Sequence, residues 1–278
     1  MNRLGQAFAA ARAAGRPALM PYVTAGDPDL ATTAKLLPAL AAAGADIVEL
    51  GVPYSDPLAD GPTNQRAAQR ALAAGTTVRG VLDTVAAVRR QEGLAIPIVL
   101  LVYYNCIYRH GEAAFVQAAA AAGVDGLIVP DLPPEEAGSL RAAAEASGLA
   151  LVPLAAPTST DERLALIARV ATGFIYCVSV TGVTGARTAL PADLADLLRR
   201  VRQATAGRVP VAVGFGISTP EQVRDVGRLA DGVIVGSALV ERLERAESPA
   251  AGIAAVTDLV RAMRRAAAEA RVQAAAGG

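Results

Sequence analysis

Eight short runs rich in β-branched and aliphatic residues recur along the chain, and each leads into a longer stretch of Ala, Leu and Arg. The runs are Ala18–Thr24, Ile47–Gly51, Pro97–Val102, Gly126–Val129, Ala150–Pro153, Phe174–Val178, Val209–Val213 and Gly232–Val235. Most are continuously apolar, as strands covered on both faces must be. The intervening stretches Leu30–Ala43, Thr77–Arg90, Gly111–Ala122, Pro134–Ser147, Asp161–Val170, Pro191–Arg202 and Pro220–Arg228 predict helices, with a last one over Pro249–Arg271. Eight strands, each followed by a helix, predict an α/β fold of the (β/α)8-barrel (TIM-barrel) type. The rival, an open doubly wound sheet, calls for a Gly-x-Gly-x-x-Gly turn after the first strand, and the sequence has none there.

Local signals agree with that division. Pro134, Pro191 and Pro220 stand at expected helix starts, where a missing N–H is harmless, and Ser218 and Thr219 offer N-caps. Gly44, Gly123 and Gly148 follow helices as stops. The length, 278 residues, suits one barrel domain over 1–278, with 272–278 expected to fray. The Arg- and Ala-rich start fits a short helix capping the barrel floor; it also has the composition of a transit peptide, but not of a signal peptide.

Composition excludes several chemistries. Acidic and basic residues balance at 26 each, so nothing points to nucleic acid, and no apolar stretch reaches membrane-spanning length. Cys106 and Cys177 form neither a disulfide framework nor a metal motif, which fits a reducing cytoplasm. The one lysine, Lys35, falls on a predicted outer helix, which closes a Schiff-base route from a strand end. The one histidine, His110, is expected in an exposed loop after the third strand and cannot build a metal cluster. Carbon–carbon or proton-transfer chemistry is left to carboxyls, with a tyrosine at most.

Barrel function sits on loops at the C-terminal ends of strands. Period two puts Ile47, Glu49 and Gly51 on one face of the second strand and Val48 and Leu50 on the other. An inward Glu49 would be desolvated and its pKa raised, which suits proton exchange near neutrality. Taken alone, Glu49 is better explained by an ion pair with a surface arginine. The loop that follows carries Pro53, Pro57 and Pro62 with Asp56 and Asp60. A turn accounts for Asp56, but less well for two aspartates beside an inward glutamate. Glycine-rich turns recur after the sixth, seventh and eighth strands, at 179–187, 214–218 and 236–243, the last reading as a short helix from near Ser237. Each glycine alone is a turn residue; together the three turns predict a phosphate site.

The segments Pro21–Pro28, Glu49–Pro62, Val129–Pro133, Ala156–Thr160, Ser179–Gly185 and Gly214–Gly216 closely resemble the tryptophan synthase α-subunit family, in order and over nearly the whole chain. The resemblance implies a lyase that splits indole-3-glycerol phosphate by retro-aldol cleavage, with no metal and no organic cofactor in this chain. It assigns acid/base work to Glu49, indole N–H recognition to Asp60 and a nearby place to Tyr176. It puts Tyr22, Leu101 and Ile128 around the indole, and Gly185, Gly214, Gly216, Gly236 and Ser237 on the phosphate, with Thr184 closing over Asp60. It further implies a pyridoxal-phosphate β subunit as partner in an α2β2 assembly, contacted through Pro53–Ala59, Asn105–His110 and Val129–Glu135. Asn64, Cys106, Tyr22 and Tyr54 depart from what the family often has, and Cys106 lies in an expected contact segment. A related pathway isomerase or synthase, an idle regulator of a β subunit and a free-standing lyase remain the competing readings.

Overall fold

The computed structural model describes residues 2–178, 192–214 and 216–270. Its strands are β1 (Ala18–Thr24), β2 (Val48–Gly51), β3 (Ile98–Leu101), β4 (Gly126–Ile128), β5 (Ala150–Val152), β6 (Leu154–Ala155), β7 (Ile175–Val178), β8 (Val211–Gly214) and β9 (Gly232–Val235). All pair in parallel, in the order β5-β4-β3-β2-β1-β9-β8-β7-β6. β5 and β6 are one strand interrupted at Pro153, whose carbonyl accepts from Tyr176 N at 3.0 Å. That strand touches β4 on one side and β7 on the other, so the sheet closes with eight staves. The expected barrel is therefore the observed one.

The helices are α1 (Arg3–Ala13), α2 (Leu30–Ala42), α3 (Pro62–Ala73), α4 (Val78–Gln91), α5 (Tyr104–His110), α6 (Glu112–Ala122), α7 (Gly138–Ala146), α8 (Asp161–Val170), α9 (Ala192–Thr205), α10 (Pro220–Gly227), α11 (Ser237–Glu244) and α12 (Pro249–Glu269). Two apolar clusters follow from strand alternation. Outward residues such as Val48, Leu50 and Leu100 meet the helical ring. Inward residues such as Met20, Val99, Val152 and Ala212 fill the barrel.

The N-terminal helix plugs the floor, as its sequence suggested. Leu4, Phe8 and Ala11 of α1 join the inner cluster, and the Phe8 ring lies 5.6 Å from that of Phe174. Three floor aspartates fasten strand starts. Asp46 accepts from Leu19 N and from Nη1 and Nη2 of Arg16, and Asp125 from Ile98 N, Arg3 and Arg89. Asp231 accepts from Val211 N and Arg12. Each carboxylate therefore regains in the fold the hydrogen bonds that burial takes away.

Three expectations need correction. Pro134 opens a turn, with Glu136 N donating to Pro133 O at 3.0 Å, and α7 starts only at Gly138. A Pro-led turn needs a single i to i+3 bond, and nothing in 134–137 caps a helix. Pro62 ends the acidic loop by starting α3, which buries only alanines (Ala67, Ala68, Ala71) and so shows no stripe of large apolar residues in the sequence. His110 closes the short helix α5 rather than sitting in a loop; it is exposed, as expected, with its ring edge-on to Phe115 at 5.9 Å. Lys35 lies exposed on α2. Pro191 and the tail 272–278 fall outside the described residues.

Candidate active site at the barrel mouth

Glu49 lies in β2, with Tyr22 of β1 and Val99 of β3 as its register partners. Its side chain is 1 % exposed, and Oε2 has no hydrogen-bond partner. Loss of hydration, with the Asp60 charge adding to it, pushes its pKa up to about 8. The floor aspartates are satisfied by donors; this carboxyl at the mouth is not. Among the described residues only two other buried side-chain polar atoms stand alone, Asn64 Oδ1 and Arg16 Nε.

Asp60 ends the proline-stiffened loop and is 8 % exposed. Tyr103 donates its hydroxyl to Asp60 Oδ2 at 3.0 Å and accepts from Ala59 N at 3.0 Å. The Tyr103 ring stacks on Tyr54 with centroids 5.1 Å apart. Burial raises the Asp60 pKa, while hydrogen bonds from Tyr103 and Asn64 hold it down. Gln65 donates to the Asp60 carbonyl at 2.9 Å, which ties the loop's end to the first turn of α3. The two carboxyls thus share one mouth in unlike surroundings, an arrangement that divides acid and base roles.

Tyr22, Leu101, Ile128 and Tyr176 all lie in the inner cluster with Tyr103. Two glycines make room for the rings. A β-carbon on Gly51 would stand 2.3 Å from the Tyr22 hydroxyl, and one on Gly214 would stand 2.2 Å from the Tyr176 hydroxyl. Burial, with Glu49 next, raises the Tyr176 pKa well above its ordinary value, so the phenol stays protonated. Gly214 was singled out for phosphate; the structure adds that the Tyr176 ring leaves no space there for a side chain. Gly216 has a left-handed φ of 74°. Gly236 caps α11 without a side-chain hydrogen bond, and exposed Ser237 is that helix's first residue. The first turn of α11 thus keeps N–H groups that its cap residue does not satisfy, as an anion site requires. Thr184 and Gly185 lie outside the described residues.

Tyr103 is the residue that sequence reasoning missed. It shares parity with Val99 and Leu101, so period two already aimed it inward. Asn64, noted above only as a departure, helps to hold the Asp60 pKa down. Among the described residues no group of His, Cys, Asp or Glu could hold a metal ion. Among the described residues no single helix is long and apolar enough to cross a membrane.

A closed parallel barrel with two buried, differently held carboxyls at its C-terminal mouth defines an α/β-barrel enzyme of acid–base type. A family model described as tryptophan synthase alpha chain matches residues 8–268. The tryptophan synthase alpha chain of Geobacter sp. (strain M21) is 54 % identical over 245 residues, covering 88 % of this chain and 90 % of that one. That of Roseiflexus sp. (strain RS-1) is 51 % identical over 264 residues, covering 95 % and 100 %. A solved structure of Mycobacterium tuberculosis tryptophan synthase superposes with TM-score 0.87 at 40 % identity, over 96 % of this chain and 98 % of the other. The alpha chain of Legionella pneumophila gives 0.85 at 37 %, over 96 % and 97 %. The chain belongs to the tryptophan synthase alpha chain family.

Proposed function

We propose that this chain, working as one barrel domain, cleaves indole-3-glycerol phosphate to indole and glyceraldehyde 3-phosphate in tryptophan biosynthesis. The observation that carries the reading is Glu49: a carboxyl buried inside the mouth, its Oε2 without a hydrogen-bond partner and its pKa pushed up to about 8. Such a group is protonated at neutral pH and gives its proton readily. It protonates indole C3, which turns the ring into an electron sink. The ring N–H is then positive, and the Asp60 carboxylate accepts its hydrogen bond. Glu49, now a carboxylate, takes the proton of the side-chain hydroxyl next to C3. The carbon–carbon bond breaks as that oxygen becomes the aldehyde carbonyl, and its electron pair restores the aromatic ring. Glu49 ends protonated, ready for another cycle. Tyr176 packs beside the reacting carbons.

Tyr22, Leu101 and Ile128 supply an apolar wall for the indole. The first turn of α11, with Gly236 and Ser237, and the backbone at Gly214 and Gly216 receive the phosphate; family likeness adds Gly185 to that end and has Thr184 close over Asp60. The chemistry is carried by carboxyls, so the chain needs neither metal nor organic cofactor of its own. The family implies a β-subunit partner. In our reading that subunit holds pyridoxal phosphate, receives the indole and joins two copies of this chain in an α2β2 complex in the cytoplasm. The contact segments are Pro53–Ala59, Asn105–His110 and Val129–Glu135; Tyr104 N, just before the second segment, donates to Asp131 Oδ1 of the third at 2.8 Å.

The test is indole release from indole-3-glycerol phosphate by the purified chain, alone and with a β subunit. Slow release alone that rises strongly with β supports both the lyase and its partner. Fast release alone keeps the lyase and removes the partnership. No release in either case overturns the reading.

A further inference from the structure

Behind the mouth, two arginines from the middle of α3 join the last residue of α11 and a carboxylate that follows β1. Arg66 and Arg70 stand four apart on α3 and so share one face. Arg66 holds both oxygens of Glu244, the last residue of α11, with Nε and Nη2 each at 2.8 Å. Arg70 reaches the same carboxylate with Nη1 at 2.8 Å. Its Nε and Nη2 hold both oxygens of Asp27 at 2.8 Å. Asp27 is 2 % exposed and follows β1. Gly26 beside it admits no side chain, because a β-carbon there would stand 1.9 Å from Thr76 Oγ1, just beyond α3.

Surface stability is a weak account of this chain of ion pairs. Arg66 and Arg70 are 49 % and 32 % exposed, and pairs of that kind contribute little. A glutamate at a helix C-terminus also opposes the helix dipole. What the four residues do geometrically is specific. The front end of α3 follows Asp60, and the front end of α11 carries Gly236 and Ser237. The two helices pack on each other, and the last residue of α11 is bolted to the middle of α3.

We infer that the Arg66–Glu244–Arg70–Asp27 network is a positioning device: it sets the separation between the phosphate anchor on α11 and the Asp60 end of α3, so that one substrate molecule spans both. The inference rests on the proposed lyase reading and its phosphate site. A substrate with an anion at one end and an aromatic N–H at the other gains from binding both ends at once only when the two subsites stand at a fixed distance. Free the distance, and each end still binds its own half while the whole molecule loses the advantage.

Glu244→Gln keeps the shape and removes the charge; Arg66→Gln removes only the more exposed partner. The full-length chain is titrated with glycerol 3-phosphate alone and with indole alone, and is then assayed with indole-3-glycerol phosphate. For both variants the expected result is Kd for each half within twofold of the unaltered protein, with kcat/KM for the whole substrate down about tenfold. An unchanged kcat/KM overturns the inference. A parallel weakening of the halves and the whole overturns it too, since that is the mark of a general loss of fold. Failure of the unaltered protein to bind glycerol 3-phosphate, or binding insensitive to Gly236→Asp, removes the phosphate site itself and is told apart by involving neither Glu244 nor Arg66.

Discussion

The Tyr176 hydroxyl stands 2.2 Å from where a β-carbon on Gly214 would lie, with two more ring atoms within 2.8 Å. Real side chains do not approach so closely, so Gly214→Ala forces the ring of a buried tyrosine to move. Overpacking of this kind costs about 1–3 kcal/mol. In the proposed mechanism Tyr176 packs at the reacting end, so kcat should fall at least about tenfold, and stability in a denaturant melt should drop by about 1–3 kcal/mol. If Gly214 serves phosphate alone, KM rises while kcat holds. Steady-state kinetics separates the two.

Glu49→Gln should abolish cleavage and yet stabilise the fold, increasingly as pH rises. The sign follows from linkage. The Glu49 pKa in the folded chain is near 8, against an ordinary 4.5, so between those values the folded chain holds a proton that the unfolded chain has released. Stability of the unaltered protein is therefore lost as pH climbs through that window, and a neutral amide avoids the loss. Denaturant melts at pH 5 and pH 8.5 should give a Gln advantage that grows by about 4 kcal/mol between them. An advantage that shrinks with pH would contradict a raised pKa. If Glu49 donates the proton as proposed, its donating form empties as pH passes about 8, and the rate profile should show an alkaline limb there.

Asn64→Leu and Tyr103→Phe each remove a hydrogen bond that holds the Asp60 pKa down. The aspartate then protonates at higher pH than before. If its ionised form is required, the acid limb of the kcat/KM profile moves upward, with a loss near neutrality of about three- to tenfold. The same shift in both variants, with melts little changed, is the expected outcome. A uniform loss at every pH would assign Asn64 and Tyr103 to packing.

Phe8→Ala empties the floor plug. The side chain is 5 % exposed against Phe174, so the expected cost is about 3–5 kcal/mol in chemical denaturation. Cleavage well below the melting temperature should be nearly unchanged, because Phe8 is at the opposite end from Glu49. A large fall in kcat at low temperature would tie the floor to the chemistry.

The strands were readable because a stave covered on both faces is a plain apolar run, and Ala18–Thr24 and Gly232–Val235 were read with their observed limits. Inward placement of Glu49 was readable for an equally simple reason, since period two leaves one choice once Val48 and Leu50 face the helices. α3 was hidden, because a helix that buries only alanines leaves no mark of large residues. α5 was hidden by its length, seven residues with Ile107 alone buried. Tyr103 lay one step past the run that was read, and the hydrogen bonds around Asp60 join residues 43 apart in sequence, which no local pattern announces.

The fastened aspartates Asp46, Asp125 and Asp231 lie at one end of the barrel and the unpartnered Glu49 at the other. That separation bears on what the chain can become. Changes around the mouth leave the donors of the floor carboxylates untouched, so new loops and new polar groups can be tried there at little risk to folding. The molecule carries its inheritance at the bottom and its experiments at the top.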